Sequence, residues 1–299
     1  LPAPDALTLA DSPRLAADDQ GRIWLQYNLL RAGAQTDGAV FIPYETHVVR
    51  SDDGGQTWGL PSIASPVDAV DPQVRRHGTP QWAGGDRLVL PYGDYPPDQP
   101  RRVRVAVSDD AGATWHHVQV ADELLGFSQL VPVQAAATPD GHVLVAWAGW
   151  NGTNLQLRVA ESSDAGRSWS SPQTLRANGT SASVRPVLAS GGTAAVAFYA
   201  SEWEGATIDA PEGTPWHVGL ARRGGPDDVW TTTQVTDEPV MLGPLCTAGG
   251  CPTGAQFDWL GLDVLPDGRL AVAFQRLADD GSGTTRTFVA MQAPRPTLL

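Results

Sequence analysis

Ser108-Asp109-Asp110-Ala111-Gly112-Ala113-Thr114-Trp115 is the middle one of three copies of an eight-residue phrase. The others are Ser51-Asp52-Asp53-Gly54-Gly55-Gln56-Thr57-Trp58 and Ser162-Ser163-Asp164-Ala165-Gly166-Arg167-Ser168-Trp169. The shared pattern is Ser-x-Asp-x-Gly-x-Thr/Ser-Trp, and an alternating, strand-like run such as Arg102 to Val107 precedes each copy. Ser and Asp side chains bond nearby backbone N–H groups and so close a tight turn. Gly55, Gly112 and Gly166 supply a backbone conformation that a side chain disfavours. Trp58, Trp115 and Trp169 then offer a large apolar surface to a neighbouring unit. Asp53, Asp110 and Asp164 are therefore read as turn formers rather than catalysts. The three glycines stand 57 and 54 residues apart, a period that suits a four-stranded propeller blade with generous loops.

A second pattern is a hairpin led by Pro, with two apolar runs around an Asp-Gly or similar turn. It runs from Pro13 to Tyr27 and returns at Pro80 to Tyr92, Pro132 to Trp147 and Pro186 to Tyr199. A fifth copy, Trp259 to Phe274, lacks the leading Pro. These five units predict an all-β fold, a β-propeller of four-stranded antiparallel blades, with room for a sixth blade in residues 201–256. The segment 6–9 resembles the outer strand that follows each Trp and is expected to complete the last blade, removing its open edge. No helical periodicity is sustained and no low-complexity linker appears, so one domain over residues 1–299 is expected.

Composition narrows the partners. A net charge of −13 argues against nucleic acid, which needs a basic surface. No apolar run approaches membrane-spanning length. All 20 basic residues are Arg, so any grip on an anion would be made by guanidinium groups. Cys246 and Cys251 flank Thr-Ala-Gly-Gly, a flexible span that makes a local disulfide sterically easy and offers no further metal ligand close by. The opening Leu1-Pro2-Ala3-Pro4 reads as a trimmed mature end, so a secreted bacterial protein is expected.

The boxes and Pro-led hairpins together resemble the Asp-box, or BNR-repeat, proteins of the sialidase superfamily, over about Pro13 to Phe274. The resemblance implies a propeller and a glycan substrate. It also implies three arginines for a sugar carboxylate, a Tyr–Glu nucleophile pair and an Asp acid/base. The usual Arg-Ile-Pro motif is replaced here by Asp11-Ser12-Pro13, and an Asp would repel a carboxylate.

Propellers bind ligands at one mouth of the channel, near the start of each innermost strand and the loop after the second. That rule selects Asp11, Asp94, Glu202 and Asp258 as candidate catalytic carboxylates. It selects Arg14, Arg76, His77, Tyr92 and Gln129 as substrate contacts, together with Trp147, Arg185, Trp259 and Arg276. Aromatic faces and paired polar groups are what sugar rings require, and a carboxylate pair would supply acid and base. No cofactor is expected, although acidic loop tips would suit a calcium ion. The function so read is a glycoside hydrolase of unknown specificity; the alternative is a non-catalytic propeller that binds glycan or protein.

Overall fold

The computed structural model describes residues 8–35, 38–65, 76–94, 102–123, 133–177, 179–190, 194–225, 227–245, 260–277 and 285–293. The first sheet runs β1 (Thr8–Ala17), β2 (Ile23–Gln35), β3 (Gly38–Ser51), β4 (Ser62–Ile63), neighbours in that order. The second contains β5 (Arg76–His77), β6 (Gln81–Trp82), β7 (Leu88–Asp94), β8 (Arg102–Ser108) and β9 (His116–Asp122). The third contains β10 (Gln134–Ala137), β11 (Val143–Trp150), β12 (Leu155–Ser162) and β13 (Gln173–Leu175). The fourth contains β14 (Ala182–Ser190), β15 (Ala194–Ser201), β16 (Pro215–Arg223), β17 (Thr231–Gln234) and β18 (Met241–Leu242). The last contains β19 (Leu260–Val264), β20 (Leu270–Leu277) and β21 (Thr285–Met291).

Every pairing is antiparallel, and the fold class is the five-bladed β-propeller. Between residues 201 and 256, the described strands all join the fourth sheet, so no sixth sheet forms among the described residues. The N-terminal expectation needs correcting in its second half. Thr8 and Leu9 pair with Arg31 and Leu30 as the start of β1. Residues 6 and 7, like Cys246 and Cys251, lie outside the described residues.

The chain divides into two compact units, 1–125 with 132–145 and 160–172, and 126–131 with 146–159 and 173–299. In the first, Trp24 is wholly buried among Val48, Leu88, Leu90, Tyr92 and Ala106, and its Nε1 donates to the Ala111 carbonyl at 2.9 Å. Arg22 links the first sheet to the second, donating to Asp86 and to the Gly85 carbonyl at 2.6 Å each. Gly84 has φ +91°, and a Cβ there would stand 1.9 Å from the Pro139 carbonyl oxygen. In the second unit, Trp216 is buried with Tyr199, Val218 and Leu245, and its Nε1 donates to the Gly243 carbonyl at 2.9 Å.

The three boxes are closed hydrogen-bond circuits. In the second, Ser108 Oγ donates to Asp110 at 2.8 Å and accepts the Gly112 N–H at 2.8 Å. Asp110 also accepts the Thr114 N–H at 2.8 Å and the Thr114 hydroxyl at 2.6 Å. Asp53 and Asp164 are wired the same way. Hydrogen bonds from Thr57 and then Ser51 hold the Asp53 carboxyl at about 2. Burial acts to raise Asp164, but hydrogen bonds from Ser168, Ser162 and Arg167 outweigh it and bring that group to about 2.

Candidate functional site

The Pro that leads the first, second and fourth hairpins cannot donate to the ladder, and the strand breaks step around it. Register shifts between Asp11 and Arg14 in β1, with Ser12 at φ 54°, and between Val184 and Val187 in β14. In the second sheet the same place separates β5 from β6, and a Cβ on Gly78 would lie 2.1 Å from the Val133 carbonyl oxygen. Such bulges re-aim the residues that precede the Pro.

In the first unit, Asp11 is exposed, pairs in register with Asn28 and accepts a hydrogen bond from Ser12 Oγ at 3.0 Å. Arg14 is half-buried opposite Gln26. Arg76 and His77 stand in register with Gly93 and Tyr92. Tyr92 is buried; its hydroxyl lies 3.1 Å from His117 Nδ1, and the two rings meet edge to face at 5.8 Å. Asp94 is only 6% exposed and has the Arg104 guanidinium at 3.4 Å. The adjacent strands β5 and β7 thus carry Arg76, His77, Tyr92 and Asp94.

The second-unit candidates are more scattered. Trp147 is 1% exposed inside β11, and Glu202 is exposed just after β15. Arg185 lies in the β14 bulge. Arg276 donates to Glu238 at 2.6 Å with its guanidinium 5.0 Å from the Phe288 ring. Gln129, Asp258 and Trp259 lie outside the described residues.

Two further polar clusters of the first unit join Tyr27, Asn28 and Glu45, which sit in the mouth segments, to Gln26, Thr46 and His47. Thr46 Oγ1 and Gln26 Nε2 both donate to Asn28 Oδ1, at 2.8 and 3.1 Å, and all three residues are buried. Tyr27, His47 and Glu45 form a chain, with Tyr27 hydroxyl to His47 Nδ1 at 3.4 Å and His47 Nε2 to Glu45 at 2.8 Å. The sequence signal for the first cluster is Gln26-x-Asn28, two polar residues among apolar neighbours in a strong strand. The chain of three has the outline of a nucleophile, base and orienting carboxylate. Burial, however, pushes the Tyr27 phenol up, so at neutral pH it is a neutral hydroxyl and not a ready nucleophile. Among the described residues no cluster of His, Cys, Asp or Glu is placed to hold a metal ion, and no helix is long and apolar enough to cross a membrane.

Box-closed turns between antiparallel meanders define a repeat propeller of the Asp-box type. The chain belongs to the BNR repeat-like domain family, which matches residues 10–204. No curated protein matches it in sequence. Among solved structures it is similar to a protein of unknown function from Dyadobacter fermentans, at 16% identity and a TM-score of 0.58 over 94% of this chain and 76% of that one. It is similar also to the intramolecular trans-sialidase of Ruminococcus gnavus in complex with oseltamivir carboxylate, at 14% identity and a TM-score of 0.50 over 95% and 78%. A mutant α-L-arabinofuranosidase of Fusarium graminearum in complex with an iminosugar inhibitor gives 15% identity and a TM-score of 0.50 over 95% and 92%. At such identities the likeness establishes the fold.

Proposed function

We propose that this chain is a glycoside hydrolase that works outside the cytoplasm, where glycan polymers are met, with Asp94 as one of its two reacting carboxylates. The observation that carries the reading is a carboxylate with 6% exposure at a strand end, flanked by Arg104 and by the Tyr92–His117 pair. Glycoside hydrolysis needs one carboxyl to protonate the leaving oxygen and a second to act as base or nucleophile. Asp11, at the β1 bulge, is the other of the selected carboxylates that lies in the first unit. Arg76 and His77, on the neighbouring strand, are the candidate partners for sugar hydroxyls, while Tyr92 is wholly buried and supports the strand end from within. Family membership and fold neighbours that include a trans-sialidase and an arabinofuranosidase support a glycan substrate.

The test is turnover of a panel of sialosides, arabinofuranosides and neutral pyranosides. Hydrolysis of at least one is expected, with kcat falling about 10²–10⁴-fold in Asp94→Asn. If no member of the panel is cleaved, the catalytic reading fails. One observation favours a second reading, binding without cleavage: Asp11 stands where the enzymes the sequence resembles carry an arginine. Binding of a panel glycan with no detectable product would select it.

A further inference from the structure

The fourth box is the anomaly. Counting back seven residues from Trp gives Ser51, Ser108 and Ser162 in the intact boxes, and Arg223 before Trp230. Five back, the Asp becomes Gly225; three back, the Gly becomes Asp227; one back, Thr or Ser becomes Val229. The backbone equivalence holds in register. Arg223 opposes Ala194, the first residue of β15, as Ser108 opposes Leu88, the first residue of β7. The turn is held differently, with Asp228 accepting the Gly225 N–H at 2.8 Å.

The consequence falls on the tryptophan. Trp58 and Trp169 are pinned through Nε1 to the carbonyls of Gly55 and Gly166, at 3.2 and 3.0 Å. Trp115 is pinned to Ser62 Oγ, on the outer strand of the preceding sheet, at 3.0 Å. Trp230 Nε1 is buried with no hydrogen-bond partner among the described residues. At its side a groove of about 510 Å³ opens between this turn and β13, the outer strand of the preceding sheet. Gln173, Thr174 and Arg176 form one wall, while Arg223, Asp227 and Trp230 form the other. The Arg223 guanidinium lies 4.9 Å from the Trp230 ring. A groove of about 620 Å³ beside Trp58 in the first unit differs, because the box that lines it is intact and its Asp53 is already fully bonded.

We propose that the fourth turn has exchanged clasping for ligand binding, and that the groove between it and β13 takes one or two rings of a neutral glycan. The volume is in the range of small-molecule sites. The chemistry is balanced: Arg176 and Arg223 donate, Asp227 accepts, Gln173 does both. Hydroxyls, which donate and accept alike, match such a wall, whereas a polyanion would meet Asp227 and Asp228 and a cation would meet the arginines. An unpinned indole can turn to give its N–H to a sugar oxygen, removing the penalty of an unmet buried donor. This site does not depend on catalysis at Asp94.

The experiment applies the full chain to an array of immobilised neutral and acidic oligosaccharides, alongside Asp94→Asn, Val229→Trp and Trp230→Phe. Val229 is 85% exposed and lines the groove, so Val229→Trp fills it without entering the core. Trp230→Phe keeps an aromatic ring while removing the N–H together with the pyrrole part of the indole. Expected is neutral-glycan binding that persists in Asp94→Asn, falls at least about tenfold in both groove variants, and leaves their hydrolysis rates unchanged. The proposal is overturned if no glycan binds, if only acidic glycans bind, if Asp94→Asn alone abolishes binding, or if the groove variants bind as tightly as the parent.

Discussion

At the scale of single residues, the box glycines and serines carry the strongest constraints. Gly112 has φ +88°, and a Cβ there would sit 3.3 Å from Leu88 and 3.4 Å from Trp24, both buried. Gly112→Ala therefore combines backbone strain with crowding of a tight core, and a loss of about 1–3 kcal/mol is expected from denaturant midpoints. Ser108 is wholly buried and bonded in both directions, so Ser108→Ala leaves the Gly112 N–H and Asp110 each short of a partner. A loss of about 1–3 kcal/mol is expected there too, whereas Ser108→Thr keeps the hydroxyl and tests shape alone. A Ser108→Ala protein as stable as the parent would show the circuit to be dispensable.

Among elements, what matters is how neighbouring hairpins meet. Trp24 fills the space between the first sheet and the second box, and Trp24→Ala would leave a large void and an unmet Ala111 carbonyl. About 3–5 kcal/mol is expected, measured by thermal or chemical unfolding. Gly84 marks an even closer approach, since its missing Cβ makes room for the Pro139 carbonyl of the β10–β11 turn. Gly84→Ala should displace that turn, and faster amide exchange in residues 134–145 would report it; unchanged exchange there would contradict the packing described. These contacts were only half legible in the sequence. The boxes announced tight turns and the hairpins announced themselves, because their signals are local. That Trp24 would reach Ala111, 87 residues away, has no local signature. Nor could spacing reveal that Tyr92 and Trp147 would be buried, since strands packed on both faces lose the alternation that separates inside from outside.

For the molecule as a whole, the box carboxylates set a pH dependence. Asp53 and Asp164 are held near 2 in the folded chain, against about 3.9 when unfolded. The unfolded state therefore binds protons first as the solution is acidified. The stability these groups contribute is complete above about pH 4 and is lost as pH falls toward 2. Denaturant midpoints should fall steeply across that window, and the fall should be shallower in Asp164→Asn; a flat profile would contradict the wiring. Function was the least legible property, because it rests on which strand ends share a site. Asp94 was selected by position, but its Arg104 neighbour follows from cross-strand register, which sequence does not state.

The fourth turn reaches the same backbone register as its siblings with different side chains, which makes the two versions exchangeable parts. Transplanting Ser-Asp-Asp-Ala-Gly-Ala-Thr-Trp into positions 223–230 should therefore yield a chimaera that folds, with its indole locked and its groove shut. A protein built from such interchangeable clips can gain or lose a docking point by editing eight residues, while the scaffold beneath stays as it was.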